Sequence, residues 1–256
     1  MKIKMGLALG GGAMRGLAHI GVLKALEEQG LRPDYIAGTS IGAVIGALYA
    51  SGVTPYIMSG LANNLNARSF YDITPPRKGF IKGNNIEQLI ALLTKGREFK
   101  ELNIPLSVTA TDLTKCKLVV FTEGKVYKAV RASISVPGIF IPVEAGDMVL
   151  VDGGVLERVP TRIVREMGAD IVISVDVGFQ GQHKKPDKLT EVIFQAFEVM
   201  ELEILKHKTV QSDIAIYPDV SNIDATSLEQ AEECIQAGYK ATIESMDKIK
   251  KLLSIL

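Results

Sequence analysis

Ser40 stands in the pentapeptide Gly38-Thr39-Ser40-Ile41-Gly42, with a glycine two residues before it and two residues after it. A short apolar segment precedes the pentapeptide and a longer one follows, which predicts a strand, a sharp turn and a helix. A serine on such a turn projects its hydroxyl away from the sheet, and the helix N-terminus offers N–H groups to developing negative charge. A Gly-x-Ser-x-Gly pattern can also occur by chance in a chain with 24 glycines, so the interpretation depends on the strand-turn-helix context. We predict that Ser40 is the nucleophile of a hydrolase that forms an acyl-enzyme, with Gly38 and Gly42 shaping its turn.

A second glycine-rich segment, residues 10–16, also lies between a predicted strand and a predicted helix. The N–H groups of Gly10, Gly11 and Gly12 can converge on an acyl oxygen, which would make this segment an oxyanion loop. The alternatives are a tight structural turn, a P-loop and a dinucleotide-binding fingerprint. No Gly-Lys-Ser/Thr follows, which excludes the P-loop, and Arg15 stands where the fingerprint counted from Gly10 needs its third glycine. The nucleophile turn in the next βα unit favours the oxyanion loop.

Asp152 begins the sequence Asp152-Gly153-Gly154, directly after the apolar segment Met148–Val151. An aspartate at the carboxyl end of a strand can reach a nucleophile on a neighbouring strand, and Gly153 and Gly154 let the backbone turn away without crowding. Asp-Gly is also one of the commonest turn dipeptides, and on its own Asp152 would be interpreted as a turn residue. Beside a serine motif it becomes a candidate general base.

The three histidines offer no better base. His19 precedes Ser40 on the first predicted helix, where we expect it to be packed near the glycine loop. His183 and His207 lie in polar or charged segments, where we expect them to be solvated. The Ser-His-Asp triad of the α/β-hydrolases places its histidine last, after the acid. The shortage of suitable histidines favours a carboxylate as the group that accepts the serine proton.

Composition and charge restrict the other functions. Lys and Arg number 29 and Asp and Glu number 29, and the basic residues are spread along the chain, so no nucleic-acid partner is indicated. Cys116 and Cys234 have no CxxC spacing, which argues against a disulfide framework or a zinc site and suits a reducing compartment. No carboxylate or histidine cluster has metal-ligand spacing, and we expect no metal and no cofactor. The longest apolar run, Ile41–Ala50, is shorter than the roughly 20 residues that span a bilayer, and no signal peptide is evident, so we expect a cytoplasmic protein.

Strand and helix patterns alternate along the chain, which predicts an α/β layered fold, and no repeat or linker divides residues 1–256 into more than one domain. The predicted strands are Ile3–Leu9, Tyr35–Ala37, Leu106–Thr111, Leu118–Phe121, Met148–Val151, Ile171–Val177 and Ile214–Tyr217. The predicted helices are Arg15–Gln29, the apolar run to about Ala50, Pro55–Leu65, Asn84–Leu93, Val126–Ser133, Thr161–Met167, Leu189–Lys206 and Leu228–Leu252. We interpret Asp72–Lys82 as a mobile cover and Phe179–Lys188 as a polar surface loop.

Taken in order, these motifs resemble the patatin-like phospholipase family. The glycine-rich loop runs into Arg15-Gly16-Leu17-Ala18-His19-Ile20-Gly21-Val22-Leu23, and Gly-Thr-Ser-Ile-Gly and then Asp-Gly-Gly follow it. Supporting segments are Thr109-Ala110-Thr111-Asp112-Leu113 and Arg131-Ala132-Ser133-Ile134-Ser135-Val136-Pro137-Gly138-Ile139-Phe140. Within the family the chain is most similar to short bacterial proteins related to the catalytic domain of neuropathy target esterase, and the resemblance covers nearly the whole chain.

The resemblance implies a three-layer α/β/α sandwich with a mostly parallel central sheet, a Ser40–Asp152 dyad without histidine, and an oxyanion hole from the loop Gly10–Gly12. Arg15 is expected to brace that loop. Ala13 stands where many members have a further glycine, which leaves open which N–H groups form the hole.

The implied activity is hydrolysis of an acyl-lipid or ester of phospholipase or lysophospholipase type, with room for transient contact with a membrane surface. The alternative is a non-catalytic regulatory or lipid-binding protein of the same fold, which loss of the serine, the aspartate or the glycine loop would indicate; all three are present. A dinucleotide-binding oxidoreductase is a weaker alternative that an NAD titration would test.

Overall fold

The computed structural model describes residues 3–64, 72–75, 77–178, 185–207 and 212–255. The strands β1 to β8 are Met5–Leu9, Tyr35–Thr39, Leu106–Asp112, Lys117–Phe121, Val143–Ala145, Met148–Asp152, Ile171–Val175 and Ile214–Ile216. The helices α1 to α8 are Ala18–Glu28, Ile41–Ala50, Pro55–Asn64, Asn84–Leu93, Val126–Ser133, Thr161–Glu166, Leu189–His207 and Ala231–Ile255.

These elements follow the predicted ones, although several ends are shifted by up to three residues, as in α8, which was predicted over Leu228–Leu252. Two further differences concern whole elements. The chain from Ala13 to Leu17 forms a 3₁₀ helix before α1 begins, so the predicted helix from Arg15 starts in a tighter turn. The strand β5, Val143–Ala145, has only three residues and was not predicted, because so short a segment carries no readable alternation. Leu65, the predicted end of the third helix, lies outside the described residues, as does most of the predicted loop Phe179–Lys188.

The described strands form one sheet in the order β5-β6-β3-β2-β1-β7-β8, with β4 paired to β3. Strands β1, β2, β3, β7 and β8 run parallel to one another, and β4, β5 and β6 add antiparallel pairs at one side. The predicted α/β sandwich with a mostly parallel centre is therefore confirmed, and its antiparallel side is an addition.

Both faces of the sheet are covered, which explains why its central strands are apolar throughout. In β1, Leu7 and Leu9 face a large core that includes residues of α1, α2 and α8, whereas Ala8 faces a smaller core built with α6. All five residues of β1 are buried. The sheet is thus a rigid layer, and its loops can be held in fixed positions.

The register along β3 brings the predicted site together. Strand β4 occupies one edge of β3, pairing with Val108 to Asp112, so β2 and β6 share the other edge. Thr39 in β2 lies opposite Thr109, and Asp152 in β6 lies opposite the next residue, Ala110. The two strands run in opposite directions, and their carboxyl ends meet along this edge. Ser40 follows β2 directly and therefore lies beside Asp152.

Candidate active site

Ser40 occupies a strained turn between β2 and α2. Its backbone has φ 54° and ψ −124°, a conformation that non-glycine residues rarely adopt. A Cβ atom on Gly38 would lie 2.6 Å from the backbone nitrogen of Ala43, and one on Gly42 would overlap the carbonyl oxygen of Leu9. Both predicted turn glycines are therefore needed for close backbone packing, and the side chain of Ser40 is 8% exposed.

Ser133 at the end of α5 and Ser135 just after it accept hydrogen bonds from the backbone of Ser40 and Asp152. The N–H of Ser40 donates to Ser133 Oγ over 2.8 Å, and the N–H of Asp152 donates to the Ser135 carbonyl over 3.0 Å. Arg131 at the end of α5 is buried and donates to Ser135 Oγ over 2.6 Å. No spacing in the sequence signals the contact between Ser40 and Ser133, because the two residues are 93 positions apart.

Asp152 is buried, and it lines the same small cavity as Ser40. Burial raises the pKa of Asp152 to about 7, while hydrogen bonds from the Ser40 hydroxyl and from the Gly154 N–H act to lower it. The Gly154 N–H lies 2.8 Å from Asp152 Oδ1. A Cβ atom on Gly153 would overlap Thr109, so the turn after Asp152 needs glycine there. A carboxyl group with this pKa can accept a proton from a bound hydroxyl near neutral pH.

The glycine-rich loop corrects one expectation. The N–H of Gly10 donates to the Val175 carbonyl and that of Gly11 to the Arg158 carbonyl, each over 3.0 Å. Neither group is available for an acyl oxygen, because both are already bonded within the protein. Within the described ranges, the N–H groups of Gly12 and Ala13 have no hydrogen-bond partner. Of the three glycine N–H groups expected to form the oxyanion hole, that of Gly12 therefore remains, and Ala13 supplies the next N–H.

The structure fixes Arg15 and His19 in buried positions. Arg15 forms an ion pair with Glu198 of α7, which ties the glycine-rich loop to that helix. His19 Nε2–H donates to the Gly10 carbonyl over 2.8 Å, and burial lowers the pKa of His19 to about 4. His19 is thus neutral at pH 7 and supports the loop. His183 and the side chain of His207 lie outside the described residues.

Ser40 lies at the wall of an apolar cavity of about 470 Å³, within the range of about 300–1,000 Å³ that is usual for ligand pockets. Helices α2, α3 and α4 form one side of the cavity, with lining residues that include Val44, Met58, Leu61, Ile86, Leu89 and Ile90. Thr190 and Phe194 of α7 also line the cavity, a role that no pattern in the sequence indicated. From the segment interpreted as a mobile cover, Ile81 reaches the cavity, and its N–H donates to the Ile139 carbonyl over 3.0 Å. Its mobility stays a prediction.

The described residues contain neither a metal-binding cluster nor a membrane-spanning helix. No group of three or more His, Cys, Asp or Glu side chains there is arranged to hold a metal ion. None of the helices described has the length and apolar character needed to cross a bilayer.

The chain is similar to some known proteins in sequence and to others in fold. Lysophospholipase NTE1 of Coccidioides immitis is 29% identical over 279 aligned positions, covering 96% of this chain and 18% of that protein. Patatin-like phospholipase domain-containing protein 7 of mouse is 36% identical over 180 positions, covering 67% of this chain and 13% of that protein. The crystal structure of VipD from Legionella pneumophila superposes with a TM-score of 0.67 at 15% identity, covering 97% of this chain and 67% of that one.

The chain spans less than a fifth of the length of these two curated relatives. The family model described as patatin-like phospholipase matches residues 7–165, a segment that contains the glycine-rich loop, Ser40 and Asp152. The resemblance drawn from the sequence motifs is therefore confirmed, and the chain belongs to the patatin-like phospholipase family.

Proposed function

We propose that this chain is a serine esterase that hydrolyses acyl lipids, of phospholipase or lysophospholipase type, through an acyl-enzyme on Ser40. The observation that carries the proposal is the position of Ser40, which lies on a strained strand-to-helix turn beside the buried carboxyl of Asp152. Burial raises the pKa of this carboxyl to about 7. A group poised at this pKa is an effective general base near neutral pH, and no histidine is required.

In the first half of the proposed reaction, Asp152 accepts the Ser40 proton while Ser40 Oγ attacks the acyl carbonyl. The N–H groups of Gly12 and Ala13 and the N-terminus of α2 stabilise the oxyanion, because all three place partial positive charge near the developing negative charge. The alcohol or lysolipid leaves with the proton from Asp152. In the second half, water gives its proton to Asp152, attacks the acyl carbon and releases the fatty acid.

The cavity supports an acyl chain as the group that is recognised. Its lining is almost entirely aliphatic, with Phe140 and Phe194 as aromatic members, and Ser40 lies at its wall. Each methylene of a chain moved from water into such a cavity contributes about 0.8 kcal/mol. The names of the curated relatives favour a lysophospholipid or another monoacyl ester.

We also propose a single domain, a cytoplasmic location and transient contact with a membrane. One domain over residues 1–256 would carry the whole site, since elements from the glycine-rich loop to α7 build it. A cytoplasmic location is supported by the two free cysteines, Cys116 and Cys234. Transient contact with a membrane surface would give access to a lipid substrate.

A fluorophosphonate probe tests the nucleophile. We expect it to label Ser40 alone, and Ser40→Ala to abolish labelling. Ser51→Ala is a matched control, because Ser51 is also buried and ends the same helix that Ser40 begins, and it should label as the unmodified protein does. Labelling that persists in Ser40→Ala would refute the assignment.

An ester panel then tests the substrate. We expect turnover to increase with acyl chain length until the cavity is filled, and lysophosphatidylcholine to be hydrolysed in preference to short-chain esters. No turnover of any ester by a protein that binds lipid would instead support the non-catalytic alternative.

A further inference from the structure

A second carboxyl group lies beside Asp152 and has no part in the reaction described so far. Glu201 lies on α7 and is buried, with 7% of its surface exposed. A Cβ atom placed on Gly154 would overlap Glu201 Oε1 and would lie 3.1 Å from Asp152 Oδ1. The carboxyl groups of Asp152 and Glu201 therefore face the same point, and glycine at position 154 leaves the space that separates them.

The Glu201 carboxyl makes no hydrogen bond or ion pair with any residue of the described ranges. Burial raises the pKa of Glu201 well above its usual value; Arg158 acts to lower it, while Asp152, Glu198 and Asp176 raise it further. An oxygen of the Glu201 carboxyl can accept a hydrogen bond in either protonation state. A buried polar group of this kind costs free energy unless a partner satisfies it.

A small cavity lies next to the carboxyl group. It measures about 20 Å³, and on the same scale one water molecule needs roughly 10–15 Å³. Its polar lining is formed by Ser40, Asp152, Glu198 and Glu201, and the loop from Gly11 to Ala13 closes another side. One water molecule therefore fits between the nucleophile, the base and Glu201.

We propose that this cavity is the site of the hydrolytic water and that Glu201 is a positioning residue that orients this water for deacylation. The inference rests on the proposed function. The Glu201 carbonyl oxygen accepts one O–H of the water, which leaves the other O–H directed at Asp152 and an oxygen lone pair directed at the acyl carbon on Ser40.

Glu201 takes no part in the proton transfers of deacylation. The water oxygen forms a bond to the acyl carbon as its proton passes to Asp152. The bond from that carbon to Ser40 Oγ then breaks, and Asp152 returns the proton to Oγ. Glu201 neither gives nor takes a proton in this step, so an amide oxygen in its place can orient the water equally well.

The test measures acylation and deacylation separately. The full chain is acylated with a p-nitrophenyl ester, the release of p-nitrophenol gives the acylation rate, and intact-protein mass spectrometry follows the decay of acyl-Ser40. The variants are Glu201→Ala, Glu201→Met and Glu201→Gln. The methionine variant keeps the side-chain volume, in case alanine loosens the packing of α7. Glu203→Ala, two residues along the same helix on its exposed face, is the control.

We expect acyl-Ser40 to decay about tenfold more slowly in the Ala and Met variants, the rate equivalent of one lost hydrogen bond. Acylation, and with it kcat/KM, should change less than threefold, so kcat and KM fall together. Glu201→Gln and Glu203→Ala should both decay like the unmodified protein.

Three outcomes would overturn the proposal. Equal decay in all variants would show that Glu201 does not orient the water, and an equal loss of acylation would show a structural role. A Gln variant as slow as the Ala variant would show that Glu201 must ionise and is itself a base. If the unmodified protein formed no acyl-Ser40 at all, the proposed function itself would fail, which is a different result from unaltered decay.

Discussion

Replacing Asp152 by asparagine should stabilise the protein while removing most of its activity. The pKa of Asp152 is raised from 3.8 to about 7, chiefly by burial. The folded chain therefore holds this proton more tightly than the unfolded chain does. A carboxyl group of this kind destabilises the fold as pH rises from 3.8 towards 7, because the unfolded state ionises first. Asparagine has nearly the same shape and no proton to lose, so it escapes this cost.

The size of the effect follows from the two pKa values. The difference between 3.8 and about 7 corresponds to about 4 kcal/mol, at about 1.4 kcal/mol for each pH unit. Linkage then predicts that the advantage of Asp152→Asn grows from about 1 kcal/mol at pH 4.5 to about 4 kcal/mol at pH 8. The same substitution removes the general base and should lower turnover by about 10²–10⁴-fold.

Urea unfolding at pH 4.5 and pH 8 measures the effect, with free energies of unfolding compared between the variant and the unmodified protein. Asp112→Asn is the matched control on β3. Asp112 is also buried, and burial raises its pKa, but hydrogen bonds from Thr114 and from the Val149 N–H outweigh burial and hold the pKa below its usual value. The same substitution there should destabilise the protein at both pH values.

The reasoning would be refuted if Asp152→Asn were no more stable than the unmodified protein at pH 8. A gain of equal size at both pH values would also refute it, since a difference that does not change with pH cannot come from the titration of Asp152.

Three other predictions concern the same site. The value of kcat/KM should rise about tenfold per pH unit up to about pH 7 and then level off, because Asp152 must lose its proton to act; a flat profile from pH 5 to 8 would exclude it as the base. Turnover should be unchanged by EDTA, since neither the sequence nor the described residues offer a set of metal ligands; a loss that calcium restores would contradict this. His19→Ala should keep turnover within about tenfold while losing about 1–3 kcal/mol of stability in urea unfolding, because its hydrogen bond to Gly10 is lost; a loss of activity as large as that of Asp152→Asn would make His19 part of the catalytic machinery.

Local patterns predicted the elements of the site well. The sequence around Ser40 combines small residues, a preceding strand and a following apolar helix, and each of these is a property of neighbouring residues. The same holds for the glycine-rich loop and for Asp152-Gly153-Gly154. The helix boundaries Val126–Ser133 and Asn84–Leu93 agree with the structure, because apolar and polar residues recur there at helical spacing.

Contacts between distant parts of the chain were not predictable in this way. No spacing connects Ser40 with Ser133, or Asp152 with Glu201, because such pairs are set by the packing of α5 and α7 against the sheet. The antiparallel direction of β6 was likewise hidden, since Met148–Asp152 is an apolar strand in either direction. Asp152 lies beside Ser40 because the carboxyl ends of β2 and β6 meet along β3, and no local pattern in the sequence indicates that arrangement.

The correction in the glycine-rich loop has a physical meaning for the proposed oxyanion hole. A Cβ atom on Gly10 would lie 2.9 Å from the Val175 carbonyl oxygen, and one on Gly12 would lie 2.7 Å from that of Val177. The glycines are thus needed for close backbone approach, and the bonds from Gly10 and Gly11 fix the loop against its neighbours. Ala13 is held at φ 49°, an uncommon conformation for alanine. A loop fixed in this way can present the next two N–H groups in place before the reaction begins, and donors that need no reorganisation are those that stabilise a transition state most.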